Sequence, residues 1–426
     1  MSRLLIRNGR VVDPAAGRDE TADVLIEDGL ISAVGAGLSA ADAEVFDATG
    51  LVVAPGFIDM HVHLREPGFE HAETIETGSR AAAAGGFTSV CPMPNTSPVN
   101  DNPTVTSYII ERASRHALTS VFPVGAITLA SAGETLAAIG SMKKAGAVAV
   151  SDDGRPVMNA RVMRRAMETA RAFDLPVIGH CEDLNLSADG DMHEGLGSTR
   201  LGLRGIPACS EDVMVARDLL LAEVTGARFH VAHISTRRSI ELVAEAKAKG
   251  LPVTCEATPH NMSLADADMP PYDSNYKMKP PLRSRDDVAA VVDAIAAGIV
   301  DAIATDHAPH AGSEKMQEFE KCPFGIIGLE TALGVALETL LHTGRVSLSR
   351  LVALFTAGPA RILKLDRGNL AAGAAADLTI FDPNLAWTYD LNRSFSKSRN
   401  SPFDGKAFRG GPVATIVDGL LVWRRE

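Results

Sequence analysis

Short apolar runs that end in polar residues alternate with helix-length amphipathic segments through the middle of the chain. Stretches such as "VMVARDLLLAEVTG" and "SIELVAEAKAKG" separate many of these runs. This alternation is typical of βα units around a parallel sheet, and eight units over roughly 300 residues predict a (β/α)8 TIM barrel. An open doubly wound sheet is the competing fold, but no G-x-G-x-x-G follows the first strand. The eight runs are "LVVAPGFIDMHVH", "GFTSVCPMPN", "TSVFPVGAIT", "AGAVAVSDDG", "DLPVIGHCED", "ARFHVAHIST", "LPVTCEATPH" and "VDAIATDHAPH".

Both ends of the chain have a different pattern, in which short strands are separated by turn dipeptides. Asn8-Gly9, Asp28-Gly29 and Asp418-Gly419 favour positive φ angles and therefore predict two-residue hairpin turns. We expect the two ends to pair into one small β-sandwich domain made of residues 1–54 plus 368–426. Residues 55–367 then form an inserted, metal-dependent barrel domain, so the predicted class is α/β.

Composition and charge exclude several classes of function. The chain has 426 residues and a formal net charge of -12, without a basic cluster, so we expect no nucleic-acid partner. No apolar run is long enough for a membrane span, and the N-terminus has no signal-peptide core. The five cysteines are scattered and form no CxxC pair, which argues against a disulfide framework and predicts a cytoplasmic location.

Metal-ligand residue types stand at the ends of five predicted barrel strands. His61 and His63 lie two positions apart and therefore point to one face, at the end of a barrel that normally contains the active site. Four histidines and two aspartates suit Zn²⁺ better than Mg²⁺ or Ca²⁺, so we predict one or two zinc ions per subunit. His230 is expected to face away from this site. The six predicted ligands are His61, His63, Asp153, His180, His233 and Asp306.

The same strand ends predict the chemistry. A bound zinc lowers the pKa of its water towards 7 and polarises a carbonyl group. Asp306, at the end of the last strand, is assigned as the general acid/base that moves a proton to a leaving nitrogen. Arg65 can bind a carboxylate with two parallel hydrogen bonds, and Asn95 and His310 are candidate co-binders. These groups together predict a small-molecule substrate that contains a carboxylate and an amide.

Motifs along nearly the whole chain resemble the amidohydrolase superfamily and, within it, the class I dihydroorotases. D-x-H-x-H alone marks the superfamily, whereas "HVHLREPG" together with "MPNT", "DDG" and "TDHAPH" is far more specific. Further matching stretches are "GHCED", "VAHIST", "TCEATPHN", "PPLR", "CPFGIIGLETAL" and "GNLAAGAAADLTIFDP".

The resemblance implies a role for each candidate residue. It implies that His61 and His63 hold one zinc, His180 and His233 a second, and that Asp153 bridges them. It implies a reversible cyclisation of N-carbamoyl-L-aspartate to L-dihydroorotate in pyrimidine synthesis, with a metal-bridging hydroxide as the nucleophile and Asp306 as the proton shuttle. Lys279 departs from the family, which usually has Asn before "PPLR". The implied substrate-binding residues are Arg65, Asn95, Lys279, His310, Phe324 and Gly325.

Two alternatives and several details stay open. A hydantoinase or allantoinase would bridge its metals with a carboxylated lysine on the fourth strand, but "AGAVAVSDDG" has none. A non-catalytic partner of aspartate transcarbamoylase would have lost metal ligands, and all six are present. The number of zinc ions, association with that transcarbamoylase and closure of the 310–323 loop over substrate are left open. A homodimer is the default expectation.

Overall fold

The computed structural model describes residues 3–426, which contain nineteen strands in two assemblies and one short pair. Strands β1 to β5 and β17 to β19 come from the two chain ends, and the barrel strands lie between them. In chain order the strands are β1 Arg3–Asp13, β2 Arg18–Glu27, β3 Leu30–Gly35, β4 Glu44–Asp47, β5 Val52–Pro55, β6 Phe57–Val62, β7 Phe87–Pro92, β8 Ser120–Val121, β9 Val124–Gly125, β10 Ala149–Ser151, β11 Val177–Gly179, β12 Met192–His193, β13 Gly205–Ile206, β14 Phe229–Val231, β15 Val253–Ala257, β16 Ala302–Ile303, β17 Leu378–Thr388, β18 Ala407–Val417 and β19 Leu420–Arg424.

Helices follow the barrel strands, and several of them begin at side-chain caps that the sequence encodes. Thr74 accepts from the amide of Thr77, and Asn102 caps a helix whose first residue is proline. The helices are α1 Ile75–Ala84, α2 Pro103–His116, α3 Ile139–Ala145, α4 Ala160–Ala172, α5 Leu184–Ser187, α6 Leu196–Leu201, α7 Cys209–Thr225, α8 Arg237–Ala248, α9 Arg285–Ala296, α10 Gly312–Lys315, α11 Ala332–Ala336, which continues as a π-helical turn Leu337–Leu341, α12 Leu348–Phe355 and α13 Ala357–Leu363. Among residues 3–426, no helix combines the length and apolarity needed to cross a bilayer.

All eight predicted apolar runs contain a strand of the barrel, and the strands of the barrel pair in parallel. β6, β7 and β8 form one sheet, and β9, β10, β11, β14, β15 and β16 form the other. β8 and β9 occupy one barrel position, because Phe122 and Pro123 interrupt that strand. The barrel closes through a parallel bridge between Val62 and His307 and a 2.8 Å hydrogen bond from the His63 amide to the His307 carbonyl. The predicted TIM barrel is therefore confirmed.

The two chain ends join in one eight-stranded sheet, in the order β19-β18-β17-β5-β1-β2-β3, with β4 beside β1. Asp28-Gly29 and Asp418-Gly419 form the expected turns with positive φ. The turn prediction at Asn8-Gly9 is wrong: β1 continues through both residues, and the register with β2 shifts between Ile6 and Gly9. The positive φ of Asn8 is used in a bulge, because such a dipeptide fits a bulge as well as a hairpin. The domain boundaries at 54/55 and 367/368 stay a prediction.

One buried threonine connects the terminal sheet to the barrel. The Thr379 hydroxyl in β17 accepts from the Phe57 amide at 3.0 Å and donates to the Gly86 carbonyl at 2.6 Å. Thr379 is fully buried, and Phe57 and Gly86 stand at the starts of the first two barrel strands. The hydroxyl therefore fixes where the barrel meets the sheet.

We expect Thr379→Val to destabilise the fold, because the substitution keeps the shape but leaves two buried backbone groups without this partner. The loss should be about 2 kcal/mol, measured from the shift in the midpoint of urea unfolding. Thr21→Val is the matched control, since Thr21 is exposed in β2. Equal midpoints for the two variants would contradict this role of Thr379.

Candidate metal centre and active site

The carboxyl ends of the barrel strands bring the six predicted metal ligands together. Each ligand lies at the end of its strand or a few residues beyond it, and all six are buried. Three overlapping groups each have ligand atoms within 4.8 Å of one another. These groups are His61 with His63 and Asp153, Asp153 with His180 and His233, and His61 with His233 and Asp306.

Asp153 and Asp306 lie between the imidazoles. Asp153 Oδ1 is 3.3 Å from His61 Nε2 and 3.5 Å from His180 Nδ1. Asp306 Oδ1 is 3.0 Å from His63 Nε2, and the facing nitrogens of His180 and His233 are 2.9 Å apart. Burial by itself would lower the pKa of His61, but the carboxylates of Asp153 and Asp306 raise it well above its usual value. Nitrogen and oxygen donors converging in this way suit a divalent metal.

A buried imidazole nitrogen tests whether the residues fit a metal. His61 Nε2 has no hydrogen-bond partner among the described residues, although the ring is fully buried. Its other nitrogen, Nδ1, lies 2.7 Å from Glu256 Oε1. A carboxylate on Nδ1 holds the proton there and leaves the Nε2 lone pair free, which is the arrangement of a metal-ligating histidine. The donor set therefore fits a bound metal.

Glu256 is a candidate functional residue that the sequence analysis missed. It lies in β15, is completely buried and receives hydrogen bonds from both His61 and His230. The expectation that His230 faces away is wrong, because its Nε2 lies 3.2 Å from Glu256 Oε2 inside the barrel. The strand alternation used for that expectation ends at Val231, and His233 has a φ of 32°. The available signal was a lone glutamate within the apolar run "LPVTCEATPH".

A second carboxylate holds the imidazole of His180. Glu182 Oε2 is 3.2 Å from His180 Nε2, which leaves Nδ1 facing Asp153. Lys279 donates to the other oxygen, Glu182 Oε1, at 2.8 Å and lies 4.7 Å above the centre of the Phe324 ring. The lysine therefore faces both a partner of a metal ligand and a predicted substrate-binding residue.

Arg65 and His310 form a cationic edge beside the metal-ligand cluster. Arg65 Nε donates to the Pro309 carbonyl at 3.0 Å, which fixes the plane of the guanidinium, and Nη2 is 3.2 Å from His310 Nε2. His310 Nε2 is also 2.8 Å from the carbonyl of Phe324. Burial, and then the charge of Arg65, lower the pKa of His310 to about 3. His310 is thus neutral at ordinary pH and Arg65 supplies the charge.

Asn95 lies between this edge and the metal ligands. Its Oδ1 is 2.9 Å from His63 Nδ1, so the imidazole donates to the amide oxygen and presents Nε2 to the cluster. Its Nδ2 lies 3.5 Å from Asp153 Oδ2. The structure thus gives Asn95 a contact with two predicted metal ligands, in addition to the substrate contact that the resemblance implies.

Two buried lysines hold the backbone around Gly325. Lys315 donates to the carbonyls of Lys277, Pro323 and Gly325 at 3.3, 3.0 and 3.0 Å. Burial lowers the pKa of Lys315 to about 8. Lys277 in turn donates to the Phe319 and Glu320 carbonyls, at 2.5 and 3.2 Å. The backbone at Gly325, which the resemblance predicts to contact the ring, is therefore held by the Lys315 ammonium and by a 2.9 Å hydrogen bond from its amide to the Lys277 carbonyl.

Comparison with known proteins agrees with this geometry. Residues 50–239 match the family model described as dihydro-orotase-like, and residues 260–422 match that of the amidohydrolase family. A dihydroorotase of Solibacter usitatus (strain Ellin6076) is 68% identical over 423 residues, which are 99% of this chain and 98% of the relative. The chain belongs to the dihydroorotase family. A second member, from Pelotomaculum thermopropionicum, is 55% identical over 420 residues, again covering 99% of this chain and 98% of the relative.

Solved structures match at the level of the whole fold. The L-hydantoinase (dihydropyrimidinase) from Arthrobacter aurescens superposes with a TM-score of 0.88 at 26% identity, over 100% of this chain and 96% of that protein. The dihydropyrimidinase from Brevibacillus agri NCHU1002 gives 0.87 at 25% identity, over 99% and 95%. The family prediction and the prediction of a hydrolase of the amidohydrolase type are confirmed. The architecture is shared with hydantoinases, whereas the much higher identity lies with dihydroorotases.

We expect Glu256→Gln to weaken binding of a divalent metal by ~10- to 100-fold, because a neutral amide orients His61 less firmly and makes it less basic. Competition between the metal-free protein and a chromogenic chelator for Zn²⁺ measures this directly. Glu245→Gln on α8 is the matched control, since Glu245 is exposed. An unchanged affinity in a folded Glu256 variant would show that the carboxylate does not support the metal.

Proposed function

We propose that this chain is a zinc-dependent dihydroorotase, which interconverts N-carbamoyl-L-aspartate and L-dihydroorotate in the synthesis of pyrimidines. The observation that supports this most is the position of the Arg65–His310 edge. His63 Nε2 lies 3.0 Å from Asp306 Oδ1, and the Arg65 guanidinium is close enough to Asp306 and Asp153 for their charges to interact. A ring with a carboxylate that is bound by Arg65 would therefore have its amide beside the metal-ligand cluster. The names of the full-length relatives support the same reaction.

The proposed metal set follows from the three overlapping groups. We assign His61 and His63 to one zinc and His180 and His233 to a second, with Asp153 shared, because Asp153 belongs to both groups. Asp306 completes the set on the side of His61 and His233. When bound, zinc lowers the pKa of a water and polarises an amide carbonyl. Two imidazoles per ion and carboxylates beside them are ligands that zinc accepts readily.

Asp306 is the proposed proton carrier. In the hydrolytic direction its carboxylate takes a proton from the attacking water, the ring amide bond breaks, and the proton is delivered to the departing nitrogen. Ring closure uses the same steps in reverse. Burial by itself would raise the pKa of the Asp306 carboxyl, but positive charge at His61 and His63 outweighs this effect and lowers that pKa. A bound divalent cation would act in the same direction, so the carboxylate is held in the ionised form that hydrolysis needs.

Substrate binding is assigned to the groups around the cationic edge. Arg65 provides the charge for the substrate carboxylate, with His310 and the amide of Asn95 as neutral partners. The backbone at Phe324 and Gly325 contacts the ring. Lys279 lies over Phe324 while paired with Glu182, so we propose that it meets the substrate as an ammonium held in place by that pair.

Each of the two competing functions disagrees with a feature of this chain. A hydantoinase-type site needs a bridging lysine on the fourth strand, and Asp153 follows β10 in a stretch without one. A non-catalytic scaffold has no reason to keep a buried cluster of six ligands, which is expensive to bury unless it is used. A homodimer, a cytoplasmic location and association with aspartate transcarbamoylase stay predictions.

We expect chelator-stripped protein to be inactive and added Zn²⁺ to restore turnover of dihydroorotate, with little or no turnover of hydantoin and allantoin. The reason is that the six candidate ligands would hold a metal that activates water, while the Arg65–His310 edge selects a ring with a carboxylate. Ring opening is measured as the loss of ultraviolet absorbance of the cyclic substrate. Preferred turnover of hydantoin would favour the hydantoinase alternative, and no turnover with zinc bound would favour the scaffold.

We expect Asp306→Asn to lower kcat by at least ~10²-fold without unfolding the protein, because an amide cannot carry the proton. Circular dichroism and the zinc content of the variant provide the structural control. Asp286→Asn on α9 is the matched variant, since that residue is in the exposed first turn of a helix. Activity close to the wild-type level in Asp306→Asn would remove this residue from the mechanism.

A further inference from the structure

The connection between β17 and β18 crosses from the terminal sheet to the mouth of the barrel. Residues 396–400, called here the 396–400 segment, lie against the loops that follow β6 and β16. The Ser396 hydroxyl and the Lys397 amide donate to the Glu73 carboxylate, and the Ser398 hydroxyl donates to the Ala72 carbonyl at 2.7 Å. The segment is thus attached to the barrel before it reaches the proposed substrate site.

The last residue of this segment, Asn400, spans two stretches of the loop after β16. Its Oδ1 accepts from the His310 amide at 3.2 Å. Its Nδ2 donates to the Ala308 carbonyl at 2.9 Å and to the Gly325 carbonyl at 3.0 Å. Its main-chain carbonyl accepts from the Ile327 amide at 2.8 Å. Asn400 is 2% exposed, so these bonds form away from solvent.

The two stretches that Asn400 joins hold proposed substrate contacts, namely His310 on one and Gly325 on the other. They are already packed as closely as backbone allows: a Cβ on Gly325 would lie 2.8 Å from the Ala308 Cβ and 3.1 Å from His310 Cδ2. Gly325 has a φ of 137°, which other residues rarely adopt. The spacing between the imidazole and the ring-contacting backbone is therefore tight and has to be maintained.

Lys315 also contacts this backbone, but it connects different segments from those that Asn400 connects. It donates to Gly325, while its other acceptors are the carbonyls of Lys277 and Pro323. Lys315 therefore joins the second stretch to Lys277, and none of these three hydrogen bonds reaches the first stretch at Ala308 and His310. Asn400 instead uses one amide group on both stretches, and an amide has the one acceptor and two donors that this arrangement needs.

We propose that Asn400 is a positioning residue for substrate binding, which sets the distance between His310 and the Phe324–Gly325 backbone. The inference rests on the proposed dihydroorotase function. Asn400 acts through His310 and Gly325 and is not assigned a contact with the substrate. Its removal should weaken binding of the substrate and leave the metal cluster and the proton carrier Asp306 intact.

Asn400→Asp tests the proposal, because it keeps the size and one acceptor but replaces the donor that faces two carbonyls. We expect KM for dihydroorotate to rise ~10- to 100-fold, as for a buried hydrogen-bonding group that loses its partner, while kcat stays within about threefold. Zinc content and the thermal midpoint are measured on the same preparations. Asn392→Asp is the matched control, because Asn392 is an exposed asparagine in the same connection, and its KM should equal that of the wild type.

The outcomes separate the inference from the function on which it rests. A lower kcat with unchanged KM, or no change in either, would overturn the positioning role. If Asn400→Asp does not fold, KM and kcat are measured for Asn400→Ser instead, and the same rise in KM without a change in kcat is expected. Serine leaves room for water and introduces no charge. Absence of turnover in both the wild type and Asn392→Asp would instead remove the proposed function, and the inference with it.

Discussion

Four imidazoles and two carboxylates can be buried within a few ångström of one another only if each is held by further polar groups. Removing such side chains from water is costly, and the cost is offset when every nitrogen and oxygen has a partner or a metal. In this chain the partners come from strand β15 and from the loops that follow β7 and β11. Glu256 holds His61, Glu182 holds His180, and Asn95 holds His63, in each case through the ring nitrogen that faces away from the cluster. The barrel provides the geometry, and this outer layer determines which lone pairs point inward.

The terminal sheet is attached to the barrel at both ends of the barrel strands. Thr379 attaches it to the starts of the first two barrel strands, and the 396–400 segment attaches it to the loops at the opposite, carboxyl ends. Both connections are buried hydrogen bonds, which are directional and therefore fix positions more firmly than apolar contact does. A unit far from the predicted metal ligands in sequence thus contacts the loops that carry the proposed substrate-binding residues.

The comparison with hydantoinases separates what a fold shares from what a site requires. Near-complete superposition at 26% identity shows that the same barrel and terminal sheet accommodate related cyclic amides. The distinguishing features are local: Asp153 where a bridging lysine would stand, Arg65 beside His310, and Lys279 paired with Glu182. Lys279 stands where the resemblance leads one to expect an asparagine. Its ammonium, unlike an amide, needs a carboxylate partner, and Glu182 provides one.

The sequence by itself determined the barrel, the pairing of the chain ends and the six candidate metal ligands that the fold brings together, because strand-length apolar runs and the polar residues that end them are local features. It also located Arg65, Asn95, Lys279 and His310. It did not determine the fate of Asn8-Gly9, since a dipeptide with positive φ fits a bulge or a turn and only pairing with β2 decides between them. Glu256, His230 and Asn400 became visible only in the tertiary structure. Their partners lie on other strands and loops, 195 residues away for Glu256 and His61 and 90 for Asn400 and His310, and a hydrogen bond over such separations leaves no periodic signal in the chain.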